Sequence, residues 1–364
     1  MSPGSFDIAI IGAGPAGATL ARCLGPDRSV LLVDRRDLED PEPRARKACG
    51  GLVAPDAQAM LARFGLGLPR EVLAGPQLFV VRTLDLPVRL ERSYQRFYIN
   101  IDRERFDRWL VSLVPGNVTR SFGSELVGLQ RGDDGFRLSL RQGGRITEVS
   151  TRVLVGADGA RSKVRGLLAP RWPHAPGTYL AVQEWYEADP VPPHFSVAFD
   201  PALTDFYGWT IPKDGSLLLG VALAPGPDAG ARFQAFRARL AEHGFAFGRR
   251  LHREAHPILR PRLLTGSPPG PGNLLLIGEA GGFISPSSAE GFSYAFRSAW
   301  AAAEVLNGGL EAAAMRFGRA AAPIRRDLRA KCLKAPFMYV PPLRRLVMAS
   351  GIRHLARLDQ GFQG

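Results

Sequence analysis

An α/β fold in three parts is what this sequence predicts, and three observations carry the prediction. The amino end reads strand, glycine turn, helix, strand; the middle is β-rich; the carboxyl end is helical and basic. At 364 residues the chain is long enough for two packed domains, and 45% hydrophobic with 22% charged residues is ordinary for a soluble globular enzyme. The formal charge of +13 comes mostly from arginine. It fits an anionic cofactor or substrate, an acidic protein partner or a membrane surface, with a plain arginine-rich habit as the simplest account.

"FDIAIIGAGPAGATLARCL" opens with a buried strand over Phe6 to Ile11, turns at Gly12, Gly14 and Gly17, and continues as a helix. A second strand, "SVLLVD", ends on Asp34. The spacing predicts a Rossmann-like dinucleotide unit. Gly12 permits the turn, Gly14 lets backbone approach a pyrophosphate, Gly17 allows close helix–strand packing, and the helix amino terminus offers N–H groups to phosphate. Asp34 is placed to accept hydrogen bonds from ribose hydroxyls. This unit alone does not choose between FAD and NAD.

Two later segments choose. "TRVLVGADGARSKVR", with Asp158 and Gly159, resembles the Asp-Gly motif of the para-hydroxybenzoate hydroxylase superfamily of flavoproteins, and "GEAGGFISPSSAEG" resembles its third motif, in which an acid after Gly binds flavin ribityl or ribose hydroxyls. "RKACGGLVAP" looks like the Cys-Gly-Gly segment of the geranylgeranyl reductase-like branch. "FYGWTIPKDGSLLLGV" is similar to that branch's Tyr-x-Trp-x-Phe-Pro region, and "SPSSAEG" matches its Pro-x-x-x-Glu-Gly ending. "INIDRERFDRWL" fits the superfamily helix from which Arg103 would reach the cofactor. The resemblance runs from about Phe6 to Leu306. It implies FAD, bound at Gly12, Gly14, Pro15, Ala16, Gly17, Asp34, Arg35, Cys49, Gly50, Arg103, Asp158, Gly159, Glu279, Gly281, Gly282 and Gly291. Glu279 stands where relatives carry Asp, so its partner or the local backbone must shift. The Ala-His that follows the acid in aromatic hydroxylases is here Ala280 and Gly281.

From the motifs the FAD-binding domain is expected to be discontinuous, over 6–75, 94–170 and 270–306. Residues 76–93 and 171–269 form a β-sheet substrate domain, and 307–364 a helical basic tail. "ARFQAFRARLAEHG" spaces Phe233, Phe236 and Leu240 as a helix packed on that sheet, and residues 268–271 form a loop. A further helix is expected to start at about Ser288 or Glu290, with Glu290 either in the helix start or a pocket acid. Its dipole would favour an anionic reduced flavin.

Flavin carries the redox step, so the protein positions the ring and excludes water. One reading is reduction of an activated or prenyl carbon–carbon double bond by reduced flavin, with a nearby acid completing protonation. The alternative is a monooxygenase whose flavin C4a-hydroperoxide oxygenates an aromatic or alkene substrate, carrier-bound or free. A third is a flavin-binding protein without turnover. NAD(P)H or a partner reductase would donate electrons. Cys49, Tyr207 and Trp209 are the pocket residues placed nearest the chemistry, with Phe195 and Phe199 as further walls; Cys49 is either a thiol whose pKa the neighbouring Lys47 lowers or a buried inert cysteine. Six histidines fall into no ligand spacing, and no metal is expected. Cys23, Cys49 and Cys332 lack disulfide or metal spacing, which points to a reducing cytoplasm. The tail covers the FAD domain, with contact to a peripheral membrane or an acidic carrier protein as the sharper alternative. Neither nucleic acid nor an integral membrane segment is expected.

Overall fold

The computed structural model describes residues 4–40, 49–168, 177–261 and 272–355. Among these, the strands in chain order are β1 (Gly4–Ile11), β2 (Val30–Asp34), β3 (Leu52–Val53), β4 (Leu78–Asp85), β5 (Leu90–Asn100), β6 (Val118–Phe122), β7 (Glu125–Gly132), β8 (Gly135–Gln142), β9 (Arg145–Gly156), β10 (Gly177–Glu187), β11 (Phe195–Phe199), β12 (Gly208–Lys213), β13 (Ser216–Leu223), β14 (Arg250–Arg260) and β15 (Leu274–Leu276). The helices are α1 (Pro15–Cys23), α2 (Pro55–Arg63), α3 (Arg103–Ser112), α4 (Lys163–Leu168), α5 (Ala229–Ala241), α6 (Phe292–Asn307), α7 (Ala313–Ala320), α8 (Ala322–Lys334), α9 (Pro336–Tyr339) and α10 (Pro341–Ala349).

The first sheet runs β6-β2-β1-β9-β8-β7. Strands β6, β2, β1 and β9 are mutually parallel, and β15 lies parallel to β9 over Leu154 to Gly156, just beyond the stretch where β8 pairs antiparallel. A parallel strand covered on both faces reads as a continuous apolar run, and "VLLVD" of β2 is buried throughout. Helices α1 and α6 pack together on one face of this sheet. Gly278, in the loop after β15, fits against both: a Cβ there would lie 2.8 Å from the Ala16 methyl of α1 and 4.0 Å from Ala295 of α6. Asn307 at the end of α6 then joins the end of α1, accepting from the Gly25 amide and donating to the Cys23 carbonyl. Because β1, β2, β9 and β15 run the same way, the segments that follow them share one edge.

The second sheet runs β14-β10-β13-β12-β11-β4-β5-β3. β5 belongs to it through Asn100 and so carries across the change of unit expected at about Tyr94. One face is closed by α5, whose Phe233, Phe236 and Leu240 are fully buried, as their spacing predicts. The other face carries Tyr98, Tyr179, Phe195, Phe199, Tyr207 and Trp209 in one cluster. Helix α6 begins at Phe292 behind Gly291, later than the expected start at Ser288 or Glu290. Ala289 is left-handed there, at φ +52°, and Glu290 is held by side chains of β5, so the chain cannot yet coil.

The carboxyl end is helical. Phe317, Ile324 and Leu328 join the core of the first sheet, whereas α10 crosses to the second sheet through a buried ion cluster. Asp85 accepts from Arg344 Nε at 3.0 Å and Arg345 Nε at 3.2 Å, and Asp85 and Arg344 are almost wholly out of water. The loop expected over 268–271 lies outside the described residues. Replacing Asp85 with Ala would leave Arg344 buried without its counter-charge, so denaturant unfolding should show a loss of about 3–5 kcal/mol. The double replacement Asp85→Leu with Arg344→Met should recover most of it.

Candidate active site

Each segment at the shared edge is shaped differently by its glycines. A Cβ on Gly12 (φ +105°) would sit 2.5 Å from the Ala157 carbonyl oxygen, and one on Gly17 only 1.8 Å from the Gly12 oxygen. Packing alone explains both. A Cβ on Gly14 meets no described atom within 4 Å, so no packing contact accounts for this glycine. Gly14 caps α1 without a side-chain hydrogen bond, Pro15 occupies the first turn, and no acid stands there. The opening N–H groups of α1 therefore have no side-chain cap among the described residues. Helix α6 starts in the same manner behind Gly291. By contrast α3 is capped by Asp102, which accepts from the Glu104 and Arg105 amides.

At the end of β2, Asp34 Oδ2 accepts from the Ala13 amide at 2.8 Å, and Oδ1 from the Arg36 amide at 2.8 Å. Arg35, the expected neighbour, points into solvent. Arg36 is the arginine that enters the structure. It bridges Asp34 to Asp107 at 2.9 Å, and Asp107 in turn holds Arg103 Nε at 2.9 Å. Arg103 also hydrogen-bonds the Cys49 side chain and stacks 5.1 Å from the centre of the Phe292 ring. A continuous row of charges thus runs from Asp34 to the sulfur. Nothing in "VDRRD" distinguishes Arg36 from Arg35; the partner that selects it lies 71 residues on.

After β9, Asp158 Oδ2 accepts from the Lys163 and Val164 amides at the start of α4. Its Oδ1 is buried with no partner among the described residues, and burial holds the carboxyl above its ordinary range. Gly159, at φ +78°, turns the chain beside it in a conformation glycine favours. Arg165 ties this loop to the third one, donating to the carbonyls of Ala160 and Ala280. In that third loop, Glu279 Oε1 accepts from the Leu259 amide of β14 at 2.8 Å, so one of its oxygens is taken by the second sheet. Gly281 packs against the Leu276 carbonyl, where a Cβ would come within 2.4 Å, and Gly282 is left-handed at φ +74°.

Cys49, Tyr207 and Trp209 come together. A Cβ on Gly50 would lie 3.9 Å from Trp209 Nε1, and the Tyr207 and Trp209 rings are 5.4 Å apart, both 8% exposed. Phe195 and Phe199 lie in the same cluster. Tyr207 donates to the Ser288 carbonyl at 2.5 Å and Tyr339 to that of Ser287 at 2.6 Å, while Tyr98 donates to Glu290. Burial keeps Tyr98, Tyr207 and Tyr339 protonated well above the usual phenol range. Glu290 is thus an acid of the pocket wall, also paired with Arg96 at 3.0 Å. Lys47 lies outside the described residues. Lys213, which carries no motif signal, is the lysine that faces Cys49. It donates to Asn100 Oδ1 and the Ile101 carbonyl, both at 2.6 Å, and burial draws its ammonium down to about 8 against the pull of Cys49, Asp102 and Asp214. Among the described residues no group of three or more His, Cys, Asp or Glu side chains could hold a metal ion.

Fold and site together define an FAD-dependent oxidoreductase: residues 5–183 match the FAD binding domain family FAD_binding_3. Protein CbrA of Escherichia coli O6:H1 is 41% identical over 354 residues, which cover 97% of this chain and 95% of that protein. The chain belongs to the family of the CbrA proteins. Among solved structures, a geranylgeranyl bacteriochlorophyll reductase-like protein from Thermoplasma acidophilum has a TM-score of 0.70 at 16% identity, covering 96% of this chain and 100% of its own. PqsL of Pseudomonas aeruginosa, in complex with 2-aminobenzoylacetate, has a TM-score of 0.68 at 20% identity, covering 96% and 99%. At these identities the likeness is one of fold. The site fits the cofactor on its own geometry: the open face at Gly14, the uncapped α1 and the orphaned Asp158 Oδ1 each offer what a dinucleotide's phosphates or hydroxyls take up.

The glycines separate cofactor from packing experimentally. Gly14→Val should purify with little or no FAD while the apoprotein's stability changes by no more than about 0.5 kcal/mol. Gly17→Ala should destabilise the apoprotein itself by about 1–3 kcal/mol or more. Flavin absorbance and thermal unfolding of the apo forms check both.

Proposed function

We propose that this flavoprotein reduces a carbon–carbon double bond of a hydrophobic substrate, in the manner suggested by its geranylgeranyl reductase-like fold neighbour, with NAD(P)H or a partner reductase as electron source. In this reading the elements of 6–75, 94–170 and 270–306 hold the cofactor, those of 76–93 and 171–269 the substrate, and those after 307 cover both. Gly12, Gly14, Pro15, Ala16, Gly17, Asp34, Asp158 and Gly159 hold the nucleotide and ribityl parts. Gly281, Gly282 and Gly291 line the path of the ring, Arg103 with Cys49 and Gly50 borders it, and Glu279 fixes the loop. Three unpaired cysteines suit work in a reducing cytoplasm.

The observation that carries the proposal is an aromatic, nearly dry wall standing beside a thiol and a buried lysine, Lys213, whose Nζ lies on Gly51 and whose ammonium burial draws down to about 8. Reduced flavin, when bound, supplies hydride to one alkene carbon. The other carbon then needs a proton, and few groups in an apolar pocket can give one. In this reading Cys49 holds that proton and Lys213 restores it, supported by Gly51, which accepts from Lys213 through its carbonyl and donates to the Cys49 sulfur through its amide. Tyr207 and Trp209 orient the chain of the substrate, and Tyr98 and Tyr339 exclude water by clamping the 285–290 turn.

Anaerobic single turnover tests the reading. Enzyme reduced beforehand and mixed with a prenyl substrate should yield reduced product without O₂. Product that forms only on aeration and carries ¹⁸O from ¹⁸O₂ would establish an oxygenase instead. The proton step has its own signature: because burial lowers the Lys213 pKa, its ammonium is lost as pH rises through about 8, and turnover should fall there. Lys213→Met should flatten that profile and lower kcat by about 10²–10⁴ while FAD content stays unchanged.

A further inference from the structure

Exposed apolar side chains are concentrated in one place. Of fourteen large hydrophobic residues that stand in solvent among the described residues, seven fall between Leu333 and Ile352, with Leu333 64%, Leu346 68% and Ile352 70% exposed. A surface helix of a globular protein turns its apolar face inward. Helix α10 does so only in part: Met348 is buried on the same face as Arg344, which is 4% exposed against Asp85, while Leu346 and Val347 point out. The buried ion cluster fixes the helix with its leucine side toward water.

Within this segment the charge has one sign. Arg326, Arg329, Lys334 and Arg353 are exposed, and from Leu328 to Leu355 the sequence contains no Asp or Glu. A second copy docked by the same face would oppose these cations with their own images. Phe337 and Met338 protrude from α9 and Leu346 and Val347 from α10, both short and proline-started, which suits insertion between lipid headgroups. Beneath them, Tyr339 of the same segment donates to Ser287 and packs 5.8 Å from Phe199 and 5.3 Å from Phe206. The inner side of the face is therefore a roof of the aromatic pocket.

We propose that the face from Leu333 to Ile352 docks on the surface of an anionic lipid bilayer and brings the pocket to the place where a hydrophobic substrate resides. Only the second half rests on the substrate reading above; docking stands on exposure and charge. Full-length holoprotein should co-sediment with vesicles of phosphatidylcholine mixed with phosphatidylglycerol, at least about tenfold more than with phosphatidylcholine alone, and lose that difference at high salt. Leu346→Asp and Ile352→Asp should keep FAD content and thermal stability, yet cut vesicle binding about tenfold or more. Lys334→Glu with Arg353→Glu should remove most of the phosphatidylglycerol dependence.

Absence of vesicle binding, or variants that bind like the parent, would overturn the proposal. So would a dimer, seen by light scattering, that Leu346→Asp converts to monomer, because the face would then be an interface between copies. Leu346→Asp should turn over a detergent-dispersed prenyl substrate normally and the same substrate in vesicles poorly. Vesicle binding without turnover in either form would uphold docking and overturn the substrate reading alone.

Discussion

A carbonyl oxygen and a missing methyl group set the arrangement of this protein. A Cβ on Gly17 would stand 1.8 Å from the oxygen of Gly12, so α1 can leave β1 at its actual angle only because Gly17 has no side chain. From that angle follows the seat of the loop after β15, whose Gly278 fits between Ala16 of α1 and Ala295 of α6. The free amides of α1, the acid ending β2 and the Asp-Gly turn after β9 then meet along one edge. Loosening this single contact would shift the start of α1 and the loop packed on it.

The parts of the site legible in the sequence are those in which one short segment contains its own reason. The glycine turn, the buried run of β2 and the left-handed Gly159 and Gly282 act through their own backbone, so their spacing was readable. What escaped depends on meetings between distant strands. Lys213 enters the pocket because the end of β12 lies on Gly51 and Ile101, and Arg36 rather than Arg35 turns inward because α3 brings Asp107 to it. Helix α6 starts later than its periodicity predicts, because periodicity is blind to the competing bonds of Glu290 with Arg96 and Tyr98.

Glu279 shows how a departure from a family pattern can be explained by geometry. Its extra methylene carries one oxygen to the Leu259 amide in β14. The residue thereby staples the third loop of the cofactor sheet to the sheet that bears the aromatic wall. A shorter acid would have to move the loop or give up the bond. The substitution is thus bound up with how the two sheets meet, and Arg165 reinforces it by joining the second and third loops.

The row Asp34, Arg36, Asp107 and Arg103 contains two negative and two positive charges and ends on the Cys49 sulfur. Such a row is electroneutral. It can fix positions rigidly while contributing little net field at its end, because each charge is cancelled by its neighbour. The local charge balance beside the thiol is then left to Lys213, whose protonation changes near pH 8. A scaffold that is electrically silent, paired with one amine that is not, makes the pocket responsive at a single point.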